Sequence, residues 1–66
     1  MSKEHAFFIY LLERYAEHKG KSTQTVLGEW ERLHLTENIV QMYERYHSER
    51  LQNAFDDIDE MITSSR

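Results

Sequence analysis

The chain has 66 residues, no proline and only two glycines, Gly20 and Gly28, so little in its sequence interrupts a helix. Proline removes a backbone donor and clashes with the preceding helical turn, and glycine in a helix interior costs about 1 kcal/mol relative to alanine. No segment shows the strict alternation of apolar and polar residues that is typical of a half-buried strand. The sequence therefore predicts an all-α fold.

Apolar residues recur at helical spacing in four segments, which predict a small bundle of four helices at residues 3–19, 23–34, 37–47 and 49–62. The predicted N-terminal caps are Ser2, Ser22 or Thr23, Thr36 and Ser48. Gly20 is the predicted left-handed residue that ends the first helix. Leu35 falls in a short connection, and residues 63–66 are predicted to form a frayed tail.

The whole chain, residues 1–66, is expected to form one domain around a single core. The predicted core residues are Phe8, Leu12, Tyr15, Val26, Trp30, Leu33, Ile39, Tyr43, Tyr46, Leu51, Phe55, Ile58 and Ile62. A chain of this length buries only roughly 60% of the surface that its unfolded form exposes, so such a core is marginal. The apolar arc of the first helix is also broader than one neighbouring helix requires. A homodimer or a protein partner would therefore stabilise the fold.

The charge of the chain is unevenly distributed. Residues 1–34 hold five basic and five acidic residues, whereas residues 35–66 hold three basic and seven acidic ones, so the net charge of −4 belongs to the second half. Proteins that bind nucleic acid draw much of their affinity from Lys and Arg contacts to phosphates. The acidic half therefore argues against nucleic acid as a partner of the monomer and favours a protein with a basic surface.

The sequence predicts no cofactor, no metal ion and no catalytic residue. The chain has no cysteine, which excludes thiolate chemistry and disulfides. Its four histidines, His5, His18, His34 and His47, are never three or four residues apart and form no His-Glu-x-x-His motif. His34 and His47 are predicted at helix C-termini, where an imidazole can bond a free carbonyl. An enzyme is the function class that we expect least.

Two surfaces are candidates for binding a partner. Asp56, Asp59 and Glu60 are neighbours on one face of the fourth predicted helix, where they form either a solvated outer face or an anionic stripe that binds a basic surface. Phe7, Tyr10 and Arg14 could form one side of a second interface on the first helix, since exposed aromatic residues are enriched at binding hot spots.

The longest apolar run, residues 6–12, is far shorter than the ~20 residues that a membrane-spanning helix needs. The N-terminus also lacks the basic region and small-residue cleavage site of a signal peptide. We therefore expect a soluble cytoplasmic protein with no membrane partner.

Several segments of the chain follow a family pattern. They are the first-helix segment at residues 9–16, the polar turn Lys21-Ser22, the helix at residues 26–33, the Ile-Val-x-x-Tyr-Glu-x-Tyr-His segment at residues 39–47 and the Asp-Ile-Asp-Glu-x-Ile ending at residues 57–62. Across residues 6–62 the sequence resembles a family of short bacterial helical proteins that are classed as a domain of unknown function. Genes of that family often lie beside toxin-like genes, including some that resemble ADP-ribosyltransferases. The resemblance therefore implies an accessory or antitoxin-like partner protein, and it adds no catalytic residue.

We accordingly expect a non-catalytic protein-interaction module. The acidic face of the fourth predicted helix would meet a basic surface, and the exposed aromatic side of the first helix would add apolar area. One alternative is a helix-turn-helix-type transcriptional regulator that inserts residues 36–46, although Glu37 and Glu44 accompany Arg45 in that segment. A second alternative is a self-associating structural bundle.

Overall fold

The structure, a computed structural model, describes residues 2–65 of the chain, and every regular element in that range is a helix. Helix α1 spans Lys3–Lys19, α2 spans Thr23–Arg32, α3 spans Thr36–Val40, α4 spans Tyr43–Tyr46 and α5 spans Leu51–Ser65. The all-α prediction is confirmed, and α3 and α4 together occupy the place of the third predicted helix.

Both ends of α1 follow from local capping. The Ser2 side chain accepts a hydrogen bond from the backbone N–H of His5 at 3.2 Å. At the other end Gly20 adopts φ 69°, in the left-handed region. This lets the N–H of Lys21 reach the carbonyl of Ala16 at 2.9 Å, which is the bond that closes a Schellman motif. The predictions for Ser2 and Gly20 are therefore confirmed.

Helix α2 begins as predicted but ends two residues earlier. Ser22 caps its first turn by accepting from the N–H of Thr25 at 3.1 Å. His34, the predicted last residue, has φ 60° and lies outside the helix. The N–H of Leu35 bonds the carbonyl of Trp30 at 2.8 Å, so this end is a second Schellman motif, with histidine in the position that glycine usually occupies. Such motifs bring the residue after the turn back onto the helix, and Leu35 is accordingly buried.

The predicted helix at residues 37–47 is interrupted at Gln41 and Met42. The N–H of Met42 bonds the carbonyl of Ile39 at 3.0 Å, a tighter turn than an α-helix makes. The predicted cap Thr36 is wrong, because its side chain makes no capping bond and its buried hydroxyl has no partner. The preceding residue, Leu35, is already in a right-handed helical conformation, so a side chain at Thr36 cannot reach the free N–H groups.

Helix α5 starts and ends later than the sequence predicts. It begins at Leu51 instead of residue 49, so Ser48 lies three residues before its first residue and is not the residue that precedes the helix. Its last described residue is Ser65, so the helix includes residues 63–65 of the predicted tail, while Arg66 lies outside the described residues. The Thr63 hydroxyl donates to the carbonyl of Asp59 at 3.0 Å within this last turn.

The core is built from all five helices. Its largest fully buried side chains are Trp30, Leu11, Ile39 and Ile58. Of the predicted core residues, Leu12, Tyr15, Val26, Trp30, Ile39, Tyr46, Phe55, Ile58 and Ile62 are buried, and Phe8, Leu33, Tyr43 and Leu51 are only partly buried. The prediction omitted Leu11, Ala16, Leu35, Met42 and Ala54, which are also buried.

Helix α1 packs against α2, α3 and α4, and α4 packs against α5. Long side chains join α1 to α5. The ring of Phe55 on α5 lies 5.6 Å from that of Tyr15 and 5.0 Å from that of His18. These ring contacts connect α5 to α1 directly.

Candidate functional site

The segment Asp57-Ile58-Asp59 attaches α5 to the rest of the fold. Ile58 is fully buried, and the aspartates on either side of it each accept a hydrogen bond from a tyrosine hydroxyl of another helix. Tyr46 of α4 donates to Asp57, and Tyr15 of α1 donates to Asp59 at 2.6 Å. We call these two aspartates and two tyrosines the aspartate clasp.

Asp59 has a second partner on α1, because the Lys19 ammonium lies 3.0 Å from its other carboxylate oxygen. Partial burial by itself would raise the pKa of Asp59. The hydrogen bonds from Tyr15 and Lys19 and the charge of Lys19 outweigh that effect and lower the pKa below its ordinary value. The carboxylate is therefore held in its charged form by the fold.

The two tyrosines of the clasp show the opposite shift. Burial, together with the hydrogen bond to Asp59, raises the pKa of Tyr15 well above its ordinary value. The hydrogen bond to Asp57 raises the pKa of Tyr46, and burial adds to this. Both hydroxyls donate to carboxylates, and a phenolate could not do so.

A groove of about 530 Å³ lies beside the clasp, between the α3–α4 segment and α5. Its lining residues are Leu35, Asn38, Gln41, Met42, Arg45, Tyr46, Asp57, Glu60, Met61, Ser64 and Ser65. On each side the lining residues recur three or four positions apart, so each wall is one face of a helical segment. We call this feature the α3–α5 groove.

The walls of the α3–α5 groove carry opposite charges. Arg45 lies on the α4 side, where its guanidinium is 5.4 Å from the centre of the Tyr46 ring. Glu60 lies on the α5 side and is exposed. Within residues 2–65 neither of these two side chains forms an ion pair. The lining also includes Met61, which is partly buried, and Met42, which is buried.

The structure divides the predicted acidic stripe. Asp56 and Glu60 are exposed on α5, and the amide of Gln52 donates to Asp56 at 2.9 Å. Asp59 was predicted to share this outer face. Its side chain is 41% exposed, and its carboxylate accepts hydrogen bonds from Tyr15 and Lys19 of α1. Hydrogen bonds from a hydroxyl and an ammonium of another helix stabilise this carboxylate more than water does. The spacing of residues within α5 cannot show that these two partners lie nearby.

The predicted binding residues of α1 also separate. Phe7 is partly buried, and its ring packs edge-on against that of Tyr43 with the ring centres 5.7 Å apart, so it belongs to the edge of the core. Tyr10 is 49% exposed, and the guanidinium of Arg14 lies 5.7 Å from the centre of its ring. Ile9, which the prediction left out, is 42% exposed.

The histidines lie at separate positions on the described chain. His47 bonds the carbonyl of Tyr43 through Nδ1 at 2.7 Å, as predicted for a helix C-terminus. His34 is the left-handed residue after α2, His18 stacks on Phe55, and Nδ1 of His5 lies 2.6 Å from the Ser2 hydroxyl. Within residues 2–65 no three His, Asp or Glu side chains are grouped so that they could hold a metal ion.

Comparison with protein-family models shows that residues 6–64 match the family described as "Protein of unknown function (DUF3791)". The match covers most of the chain, so this protein belongs to that family and its resemblance to a domain of unknown function is confirmed. No curated protein and no solved structure matches it. Among the described residues, no helix has both the length and the apolar character needed to cross a bilayer.

Proposed function

We propose that this protein is a non-catalytic protein-interaction module that binds a helical segment of a partner protein in the α3–α5 groove. The observation that carries the proposal is the construction of the groove, in which two helical faces border about 530 Å³ and the partly buried Met61 is among the lining residues. An amphipathic helix laid in such a groove packs its apolar face against both walls. Methionine suits this role because its flexible side chain adapts to different partners.

The charges around the groove define the chemistry of the proposed partner. Glu60 and Asp56 form an exposed acidic edge on α5, and the chain carries a net charge of −4. The partner helix would therefore present Lys or Arg toward α5. Arg45 on the opposite wall would accept an acidic or polar residue, so the two charges also fix the direction of the bound helix.

The hydrogen bonds that the clasp carboxylates accept from tyrosines give further support to a binding role. Asp57 lines the α3–α5 groove, and Asp59 lines a smaller depression beside Tyr15 and Lys19. Both carboxylates are hydrogen-bonded by tyrosines of the same chain. They hold α5, and hence one wall of the groove, in place. Their role in this proposal is to shape a binding surface.

The partner in this proposal is a toxin-type protein of a bacterial pair, and this chain is its cytoplasmic accessory or antitoxin-like member. The acidic edge of α5 would cover basic residues around a nucleotide or nucleic-acid site of the partner. No observation on the described residues favours the DNA-binding alternative, since α3 and α4 are short and Glu37 and Glu44 are exposed beside Arg45.

The proposal is tested by affinity measurements with a partner that co-purifies from the native cells and is then purified by itself. Ser64→Tyr places a ring in the groove from an exposed position and should weaken binding by about tenfold or more. Glu60→Lys should weaken it by about fivefold, since it reverses a charge at the groove. Thr63→Tyr, on α5 but outside the groove lining, and Glu31→Lys, exposed on α2, are the matched controls.

Two outcomes contradict the proposal. Equal affinities of all four variants and the wild type would show that the partner binds elsewhere. A shift of nonspecific DNA at low salt that Arg45→Ala abolishes would favour the DNA-binding alternative instead. Circular dichroism of each variant checks that the helices are retained.

The three methionines of the chain allow a second test that needs no native partner. Methyl NMR spectra can be recorded while a synthetic amphipathic helix with a leucine stripe and lysines is added. Signals of Met42 and Met61, which both line the groove, should shift. The same peptide with glutamates in place of the lysines should shift them less.

A further inference from the structure

The outer side of α1 carries a stripe of five exposed residues that is separate from the α3–α5 groove. They are Lys3, Ala6, Tyr10, Arg14 and Glu17, and none of them lines the groove. Their spacing of three or four residues places them along one face of the helix. Beside this stripe lies Ile9, and Ile9 and Tyr10 are the only large apolar side chains exposed within residues 2–65.

The stripe is self-complementary when it is reversed. Lys3 and Glu17 lie seven residues before and after Tyr10, which is about 10.5 Å along the helix axis in each direction. An antiparallel copy related by a two-fold axis at Tyr10 would therefore bring Lys3 of each chain level with Glu17 of the other. The helix dipoles would also oppose each other favourably in this arrangement.

The sizes of the side chains in the stripe are also complementary about the two-fold axis. Ala6 and Arg14 each lie four residues from Tyr10, so the small side chain of one copy would face the long side chain of the other. Arg14 already contacts Glu17 at 3.6 Å and the face of the Tyr10 ring. A second copy would add its Lys3 to this existing pair, and the two Tyr10 rings would meet at the axis.

We propose that a second copy of this chain binds the outer side of α1, giving an antiparallel dimer with a two-fold axis at Tyr10. Symmetric dimers use the same patch on both subunits, and a patch whose charges change sign from end to end meets that requirement. The Lys3–Glu17 and Ala6–Arg14 contacts are then each made twice, and the Tyr10 rings meet once at the axis. The dimer leaves both α3–α5 grooves free. The dimer proposal therefore does not depend on the proposed function.

The test is the concentration dependence of the mass of the full chain, measured by sedimentation equilibrium up to about 1 mM. The wild type should form dimers and no larger species. Lys3→Glu alone and Glu17→Lys alone should each raise the dissociation constant by about tenfold, because each removes two ion pairs per dimer and replaces them with repulsion. The double variant Lys3→Glu/Glu17→Lys should restore the wild-type value, since opposite charges again face each other.

Two further variants separate this interface from general effects of charge and apolar area. Tyr10→Ser should raise the dissociation constant by about a hundredfold. Glu31→Lys, an equal change of charge at an exposed site on α2, should leave it within about twofold. A wild-type chain that stays monomeric throughout the range overturns the proposal, and so does a dimer whose double variant is no stronger than either single one.

Discussion

At the scale of single residues, the two tyrosine–aspartate bonds give the acidic segment of α5 a structural role. Charge and helical spacing predict that Asp59 lies on a solvated face, since acidic residues on an exposed helix need no other partner. The structure gives it a hydroxyl and an ammonium from α1 instead. The neighbouring Asp57 receives the hydroxyl of Tyr46, so both aspartates anchor the helix that carries Ile58 into the core.

The clasp predicts unequal effects of one substitution at two tyrosines of α1. Tyr15→Phe removes the donor to Asp59 and should lower the free energy of unfolding by about 1 to 1.5 kcal/mol. Tyr10→Phe, at an exposed tyrosine whose hydroxyl has no hydrogen-bond partner within residues 2–65, should change it by less than about 0.5 kcal/mol. Urea unfolding at low protein concentration measures both. Equal losses would show that the Tyr15 hydroxyl does not stabilise the fold.

Neither partner of these bonds could be identified from the sequence. Tyr15 and Asp59 are 44 residues apart, and helical periodicity places Tyr15 in the core without saying where its hydroxyl points. The sequence also could not show that Phe7 is partly buried, for a related reason. It lies at the edge of the apolar arc of α1, and only the position of Tyr43 on α4 decides that its ring is covered.

At the scale of helices, the ends with side-chain or glycine caps were predicted correctly, and the ends that depend on tertiary packing were not. Ser2, Ser22 and Gly20 act within a few residues, so their effects can be read from the sequence. The break between α3 and α4 has no glycine or proline to mark it. It coincides with Met42, which is buried, so packing determines where this segment turns.

The two glycines predict opposite outcomes for the same substitution. Gly20 has φ 69°, so Gly20→Ala forces a side chain into the left-handed region and should lower the free energy of unfolding by about 1 kcal/mol. Gly28 lies inside α2, and a Cβ atom there would meet nothing within 4 Å. Gly28→Ala should therefore raise the free energy of unfolding by about 0.5 to 1 kcal/mol.

Thermal and urea unfolding of the two alanine variants, each compared with the wild type, provide the measurement. The double variant should be close to the wild type, since the sites lie on different helices and share no contact. A destabilised Gly28→Ala variant would mean that the outer face of α2 is covered, which the open space around Gly28 argues against.

At the scale of the whole molecule, the clasp links stability to the proposed binding surface. Asp57 and Tyr46 are both part of the groove lining, and Asp59 and Tyr15 hold the same helix from the other side. Core contacts of Phe55, Ile58 and Ile62 supply apolar burial, but the hydrophobic effect is non-directional, so burial alone leaves a helix more rotational freedom. Directional bonds on both sides of Ile58 remove that freedom, so loss of the clasp should affect binding in the groove as well as folding.

The clasp also predicts how stability depends on pH. The pKa of Asp59 lies below its ordinary 3.8 in the folded protein, so its bonds stabilise the fold above that pH and are lost as the pH falls through the folded value. The pKa values of Tyr15 and Tyr46 are raised above their ordinary 10.0. Their protonated hydroxyls therefore stabilise the fold below pH 10, and this contribution disappears as the pH rises through the folded values.

Stability should accordingly be highest between about pH 5 and pH 9 and fall at both ends, as measured by the urea midpoint across the pH range. Asp59→Asn should flatten the acidic limb, because the amide cannot lose its interaction by protonation. Tyr15→Phe and Tyr46→Phe should each flatten the alkaline limb. Tyr15→Phe should also weaken the acidic limb, because its hydroxyl helps to lower the pKa of Asp59. If each phenylalanine variant kept the alkaline limb of the wild type, the tyrosine hydroxyls would not be the groups that titrate there, and the clasp would not hold α5.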